Sequence, residues 1–291
     1  MNRIFCKALV VTLCLVFFPA SPIYADDATT FVRVAEDDQD QPLALQVAIT
    51  SYVPRSGATG IRVDLVSAIH IGDSGYYEEL NDRFRSYDAL LYELIAPKDV
   101  VISHQDSERS GVISNTQIMM KNMLELSFQL DEIDYGASNF VHADLTPTEL
   151  LQSMDERGES LYVYFWRLFY ASIDQYAKDP LGLKDMRMLS AMLSADSDNV
   201  FKIMLAYEMT NMDTLREILG EDADSAVIGA RNQRAVDVLK SQLDGGAKRV
   251  AIFFGVAHMP DMEHRLINQL DLIYLDTTWI DAWRLDTHTD K

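Results

Sequence analysis

Two histidines in this chain each follow an apolar, β-rich run. His70 ends VSAIHIGD, and His258 follows FFGVAHMPD. Each has a small residue three positions earlier, Ser67 and Gly255, and each precedes a turn and a helix start. A small residue there permits close backbone approach, or a special backbone angle, beside a site. In open α/β sheets ligands sit just past the carboxyl ends of the strands. Taken singly, each histidine reads as a helix-start residue bonded to a nearby cap. Taken together, two strands presenting a histidine at the same end read as function. Glu93 is the third candidate, inside ALLYELI. A carboxylate among apolar neighbours is costly unless it meets a cation or donors. A metal shared with His70 and His258 would supply the cation, since two imidazoles and a carboxylate form a set that catalytic Zn²⁺, Mn²⁺ and Fe²⁺ sites use.

Arg231 offers a different partner for Glu93. It lies in a helix expected over residues 224–243, at helical spacing from Ile228, Ala235 and Val238, so it points inward. Asn232 borders the same face. An inward arginine neutralises a carboxylate or clamps an oxyanion, and the two roles stand level here. His104, His142, His264 and His288 lack a comparable context, and His142 reads as loop. There is no His-Glu-x-x-His, no phosphate-binding glycine loop and no Gly-x-Ser-x-Gly elbow.

The elements that must position these residues follow from hydrophobic period. Strands are expected at 31–35, 43–53 and 61–71, the last ending on His70, and at 89–95. A helix opened by Asp73 or Ser74, with Glu78 and Glu79 in its first turn, joins the last two. This strand–helix–strand unit predicts parallel, adjacent strands. Thr146, Pro147 and Glu149 spell a capping box, so a helix starts there. Further helices are expected at 115–130, 159–176 (rich in aromatics), 183–193 and 199–219, with an irregular piece at 134–146 between the first two. The run 250–255 reads as a strand buried on both faces, followed by a helix at 261–270 and a strand at 272–283. The expectation is a mixed α/β domain over residues 26–291, with a central mixed sheet, βαβ units at both ends and a helical insertion at about 97–220 forming a cap.

Residues 1–25 read as a secretory signal peptide, with Arg3 and Lys7 before an apolar run and cleavage after Ala25. The apolar run is shorter than the roughly 20 residues a membrane span needs. Both cysteines, Cys6 and Cys14, lie in it, so no thiol or disulfide chemistry is expected of the mature chain. The expected setting is a periplasm or the extracellular space. Formal net charge is -20, which argues against nucleic acid and anionic lipid as partners.

SAIHIGDSGYYEEL with DALLYELI, GARNQRAVDVL and AIFFGVAHMPDM together resemble the TraB/TIKI family, also called the PrgY/GumN group. That family is marked by two Gly-x-x-His motifs, a Glu ending the strand after the first, and an Arg-Asn pair on the helix before the second. Gly255 and His258 match the second motif. Ser67 and His70 match the first with Ser for Gly, Glu93 matches the Glu, and Arg231-Asn232 match the pair. The resemblance implies an erythromycin-esterase/ChaN-like fold and a metal-dependent hydrolase, a peptidase acting on peptides or proteins with Mn or Co, and the ligand set leaves Zn open beside them. In that picture His70, His258 and Glu93 hold or serve the metal, which activates a water. Glu93 is alternatively the general base, while Arg231 and Asn232 steady the oxyanion or the substrate. A metal- or haem-binding protein without hydrolysis and a metal-independent esterase using His70 or His258 as base are the alternatives.

Overall fold

The computed structural model describes residues 30–57, 60–97, 127–160, 197–211 and 225–285. The expected signal peptide and the helices at 183–193, nearly all of 115–130 and 159–176, and the end of 199–219 lie outside the described residues. Strands β1 (Val32–Glu36) and β2 (Pro42–Pro54) form a hairpin. In its turn the Asp37 carboxylate accepts the amides of Gln39 and Gln41. Strand β3 (Arg62–Ala68) is buried from Val63 onward. It stops short of the expected 61–71: the chain bends at His70, and β4 (Ile71–Gly72) pairs with a separate strand, β6 (Ser127–Phe128). The apolar run continues past the bend because Ile71 still packs on the core, so hydrophobicity alone does not mark the break.

Helix α1 (Ser74–Phe84) buries Tyr76, Tyr77, Leu80 and Phe84. Asp73 has the backbone of an N-cap, but its carboxylate accepts from Lys202 Nζ (3.1 Å) and the Arg284 amide (2.6 Å) instead. Glu78 and Glu79 fall beyond the first turn, which holds no acid. Strand β5 (Ala89–Tyr92) is wholly buried and ends before Glu93. Helix α2 (Gln129–Glu132) follows β6, so the expected helix at 115–130 does not extend through Ser127 and Phe128. Strand β7 (Phe140–His142) lies in the stretch expected to be irregular. Its three residues are too few to show an alternation. Helix α3 (Pro147–Glu156) begins with the expected capping box: Thr146 Oγ1 accepts the Glu149 amide, and Glu149 Oε2 accepts the Thr146 amide. Helix α4 (Ser197–Met209), a π-helical turn (Ala226–Ala230), α5 (Arg231–Asp244), β8 (Arg249–Gly255), a 3₁₀ turn (Val256–His258), α6 (Met259–Leu270) and β9 (Leu272–Arg284) complete the order.

Seven of these strands make one mixed sheet. Strand β8 sits in its middle, parallel to β3 on one side and to β5 on the other, and β7 lies parallel outside β5. The expectation that β3 and β5 are neighbours is therefore corrected: they are parallel but separated by β8. The most apolar strand takes the centre, where Val250 to Phe254 are all buried. Strand β9 does not adjoin β8 either. It runs antiparallel to β2 from Ala44 to Pro54, while β1 and β3 share the other edge of β2. Strand β7 also makes the 97–220 stretch part of the sheet rather than a wholly helical insertion. Among the described residues, no helix is long and apolar enough to cross a membrane.

Candidate functional site

The parallel strands β8, β5 and β7 end side by side, with Tyr92 opposite both Phe253 and His142. Just past those ends the chain places Glu93 (after β5), Asp144 (two residues after β7) and His258 (in the turn after β8). Helix α5 faces them with Arg231 and Asn232, its first two residues. The π-helical turn runs straight into it, with the Ala230 amide donating to the Ser225 carbonyl five residues back. Ser225 Oγ starts that turn by accepting the Ile228 amide.

Arg231 is the hub, and its five N–H groups all have partners. Nε donates to Asp144 Oδ1 (2.9 Å), and Nη2 donates to Asp144 Oδ2 (2.6 Å) and Glu93 Oε1 (2.7 Å). Nη1 donates to His258 Nε2 (3.2 Å) and to the Val227 carbonyl (3.4 Å). The side chains are 7% exposed for Arg231, 0% for Asp144 and 15% for Glu93, so this is a desolvated cluster and not a surface pair. With every donor committed, Arg231 has none left for an oxyanion in this arrangement.

Asn232 is equally committed. Its Nδ2 donates to the His258 carbonyl (3.0 Å) and to Asp261 Oδ2 (2.8 Å). Two acceptors fix which end of the amide carries nitrogen, so Oδ1 faces His258 Nδ1 at 2.7 Å and must accept from it. That puts the ring proton on Nδ1 and leaves Nε2 as the basic nitrogen of neutral His258. Nε2 faces Arg231 Nη1 and lies 3.5 Å from Glu93 Oε1. Asp261, in the first turn of α6, is held in turn by Arg265 Nε at 2.6 Å.

Glu93 has its second oxygen on the backbone of β8, where the Gly255 amide donates to Oε2 at 2.6 Å. A Cβ on residue 255 would stand 3.3 Å from that oxygen, so glycine serves close approach. Its φ of -53° is ordinary, which removes the special-angle explanation. Burial by itself raises the pKa of the Glu93 carboxyl. Positive charge on His258 when it is protonated, the Arg231 guanidinium and the Gly255 amide outweigh that and hold it well below the usual carboxylate range. For Arg231, burial disfavours the charge, and Asp144 and Glu93 reverse the effect, so the guanidinium stays protonated.

His70 does not join this cluster among the described residues. It is exposed, and its carbonyl accepts the Gln129 amide. Ser67 and Gly255 are not equivalent either. The register pairs Ser67 with Phe254 and Ala68 with Gly255, so the two small residues face opposite sides of the sheet. Ser67 Oγ is buried and has no hydrogen-bond partner among the described residues. The side chains do not fit a metal held jointly by His258 and Glu93, because the Arg231 guanidinium already bonds both. No group of three or more His, Cys, Asp or Glu among the described residues is placed to hold one.

Sequence reasoning did not single out Asp144 or Asp261. Asp144 stands two residues before the capping-box Thr146 and past a strand too short to be seen, so its only signal was an acid between Ala143 and Leu145 in NFVHADLTP. His142 is no loop residue: it ends β7, and its Nε2–H donates to the Leu94 carbonyl at 2.6 Å, pinning the chain after Glu93. No family model matches this chain, and no curated protein matches it.

Proposed function

We propose that the chain is a hydrolase of peptide or ester bonds in which His258 is the general base and Glu93 its charge partner. One observation carries this reading. The Asn232 bond to Nδ1 dedicates Nε2 as the basic nitrogen, at the carboxyl ends of the parallel strands and 3.5 Å from Glu93. Nε2 takes a proton from a water as its oxygen bonds the carbonyl carbon; the imidazolium then faces the Glu93 carboxylate, Arg231 Nη1 gives up its bond to that nitrogen, and the proton passes to the leaving amine or alcohol as its bond to the carbonyl carbon breaks. Arg231 and Asp144 hold Glu93 ionised and in place while His258 changes charge. A buried ion cluster is weak as a stabilising device, since a packed apolar set of similar volume is often as stable. Its presence at strand ends therefore favours chemistry over scaffolding.

The resemblance adds a peptide or protein as substrate, the erythromycin-esterase/ChaN-like scaffold, and action outside the cytoplasm after removal of residues 1–25. It also adds a divalent metal, and binding one between His258 and Glu93 requires the Arg231 guanidinium to leave. The test is cleavage of peptide and ester libraries by the mature chain, with and without a chelator, beside His258→Ala and Glu93→Gln. Cleavage that survives the chelator and falls in both variants is expected. Cleavage abolished by the chelator replaces this mechanism with the metal-dependent one. Undiminished cleavage by His258→Ala rejects the site.

A further inference from the structure

Asp261 lies three residues after His258, in the first turn of α6, where an acid complements the helix dipole. Its carboxylate is used differently. Among the described residues it accepts no backbone amide. Its Oδ2 accepts instead from Asn232 Nδ2 (2.8 Å) and from Arg265 Nε (2.6 Å). The side chains are 13% exposed for Asp261 and 11% for Arg265. Arg265 Nη1 also donates to Oε1 of Gln233 (2.6 Å), the neighbour of Asn232 on α5. Arg265 thus fixes the carboxylate relative to the helix that carries Asn232.

Two influences meet at His258 Nε2 and oppose each other. Glu93 Oε1, 3.5 Å away, draws a proton to that nitrogen, while Arg231 Nη1, donating at 3.2 Å, requires its lone pair. The choice therefore turns on Nδ1, and Nδ1 follows the Asn232 amide. The amide presents Oδ1 to the ring and Nδ2 to Asp261 and the His258 carbonyl. Turned over, it would set Oδ1 against both acceptors, and Nδ2 would donate to Nδ1, sending the ring proton to Nε2. Of the two acceptors the carboxylate is the charged one, and a charge-assisted hydrogen bond is roughly twice as strong as a neutral one. We propose that Asp261 is the positioning residue that selects the His258 tautomer, by holding Asn232 with its oxygen toward the ring. The consequence for turnover rests on the general-base reading of His258; the tautomer does not.

The experiment is nitrogen-15 NMR of the full mature chain, labelled in histidine and asparagine, at about pH 8.5 in wild type, Asp261→Leu and Asp261→Asn. Asp261→Leu removes the charged acceptor, and the ratio of Nε2–H to Nδ1–H rings at His258 should rise at least about tenfold. Asp261→Asn keeps an oxygen toward Asn232, because Arg265 offers only donors and selects the oxygen end, so the wild-type ring should return. A structural role alone predicts a less stable Asp261→Leu with its ring unchanged. Wild type labelled with carbon-13 in aspartate should show coupling across the hydrogen bond between Asn232 Nδ2 and the Asp261 carboxyl carbon, a reading that needs no variant to fold. A folded Asp261→Leu with its proton still on Nδ1 overturns the proposal. So does an Asp261→Asn ring that matches Asp261→Leu, or a wild type without that coupling. The readout is the ring and not turnover: absence of hydrolysis strikes the general-base reading alone, and an unmoved tautomer strikes the Asp261 assignment alone.

Discussion

The ends of β8 and β3 look alike as strings and differ as places. Both are buried strands that run parallel, reach the same end of the sheet and lead to a histidine. After β8 the chain makes a tight 3₁₀ turn, which keeps His258 over the sheet end, 4% exposed and bonded to Asn232 and Arg231. After β3 it bends away into a second small sheet, and His70 is exposed. The small residues differ as well. Gly255 brings its amide to Glu93, whereas Ser67 lies one register position earlier with a buried hydroxyl that has no partner among the described residues. A residue type and a spacing thus specify a site only when the following turn returns the side chain to it.

That contrast is open to breaking. The largest effect is expected from the histidines themselves: His258→Ala should lower hydrolysis by about 10²–10⁴-fold, and His70→Ala should leave it within about twofold. A large loss in His70→Ala, measured on the same substrate, would restore the two-histidine site. Next comes Arg231→Met, which strands the buried Asp144 and half-buried Glu93 carboxylates and should cost about 3–5 kcal/mol in urea unfolding. Gly255→Ala presses a methyl on the Glu93 carboxylate and should cost about 1–3 kcal/mol. Ser67→Ala removes a buried hydroxyl without a partner among the described residues and should be neutral or stabilising by about 1 kcal/mol. Equal costs at 255 and 67 would show that the two strand ends are alike after all.

The smallest and most gradual effect is with pH. The folded carboxyl of Glu93 lies below its unfolded value, so the unfolded chain binds the extra proton in acid. The stabilisation is complete above the ordinary Glu range, near about pH 4.3, and is lost as pH falls through the folded value. Thermal midpoints should therefore fall on acidification below about pH 4, more steeply in wild type than in Glu93→Gln. Parallel curves would mean that Glu93 is not held ionised by its neighbours.

Much of this centre was legible in the sequence. Glu93 announces itself as a carboxylate in an apolar run, and Arg231 and Asn232 lie on the inward face of a helix by spacing alone. The run at 250–255 is buried on both faces from Val250 to Phe254, as its lack of alternation predicts. The capping box at Thr146 was readable because all its information is local. What was not legible depends on partners distant in sequence. The place of β8 between β3 and β5 is a pairing choice made by three apolar strands of similar character. The role of Asp144 depends on β7, three residues long, joining the edge of β5. The bend at His70 is invisible because Ile71 remains apolar on both sides of the question.

One histidine, oriented by Asn232, lies in the cluster and the other does not. Nitrogen-15 NMR of the histidine-labelled chain, taken at about pH 8.5 where an ordinary imidazole is neutral, tests it directly. The expected spectrum shows a His258 ring with its proton on Nδ1 and coupled to Asn232, lost in Asn232→Leu, beside a His70 ring with the averaged shifts of a solvated side chain. A His258 ring protonated on Nε2, or one indistinguishable from His70, would contradict it.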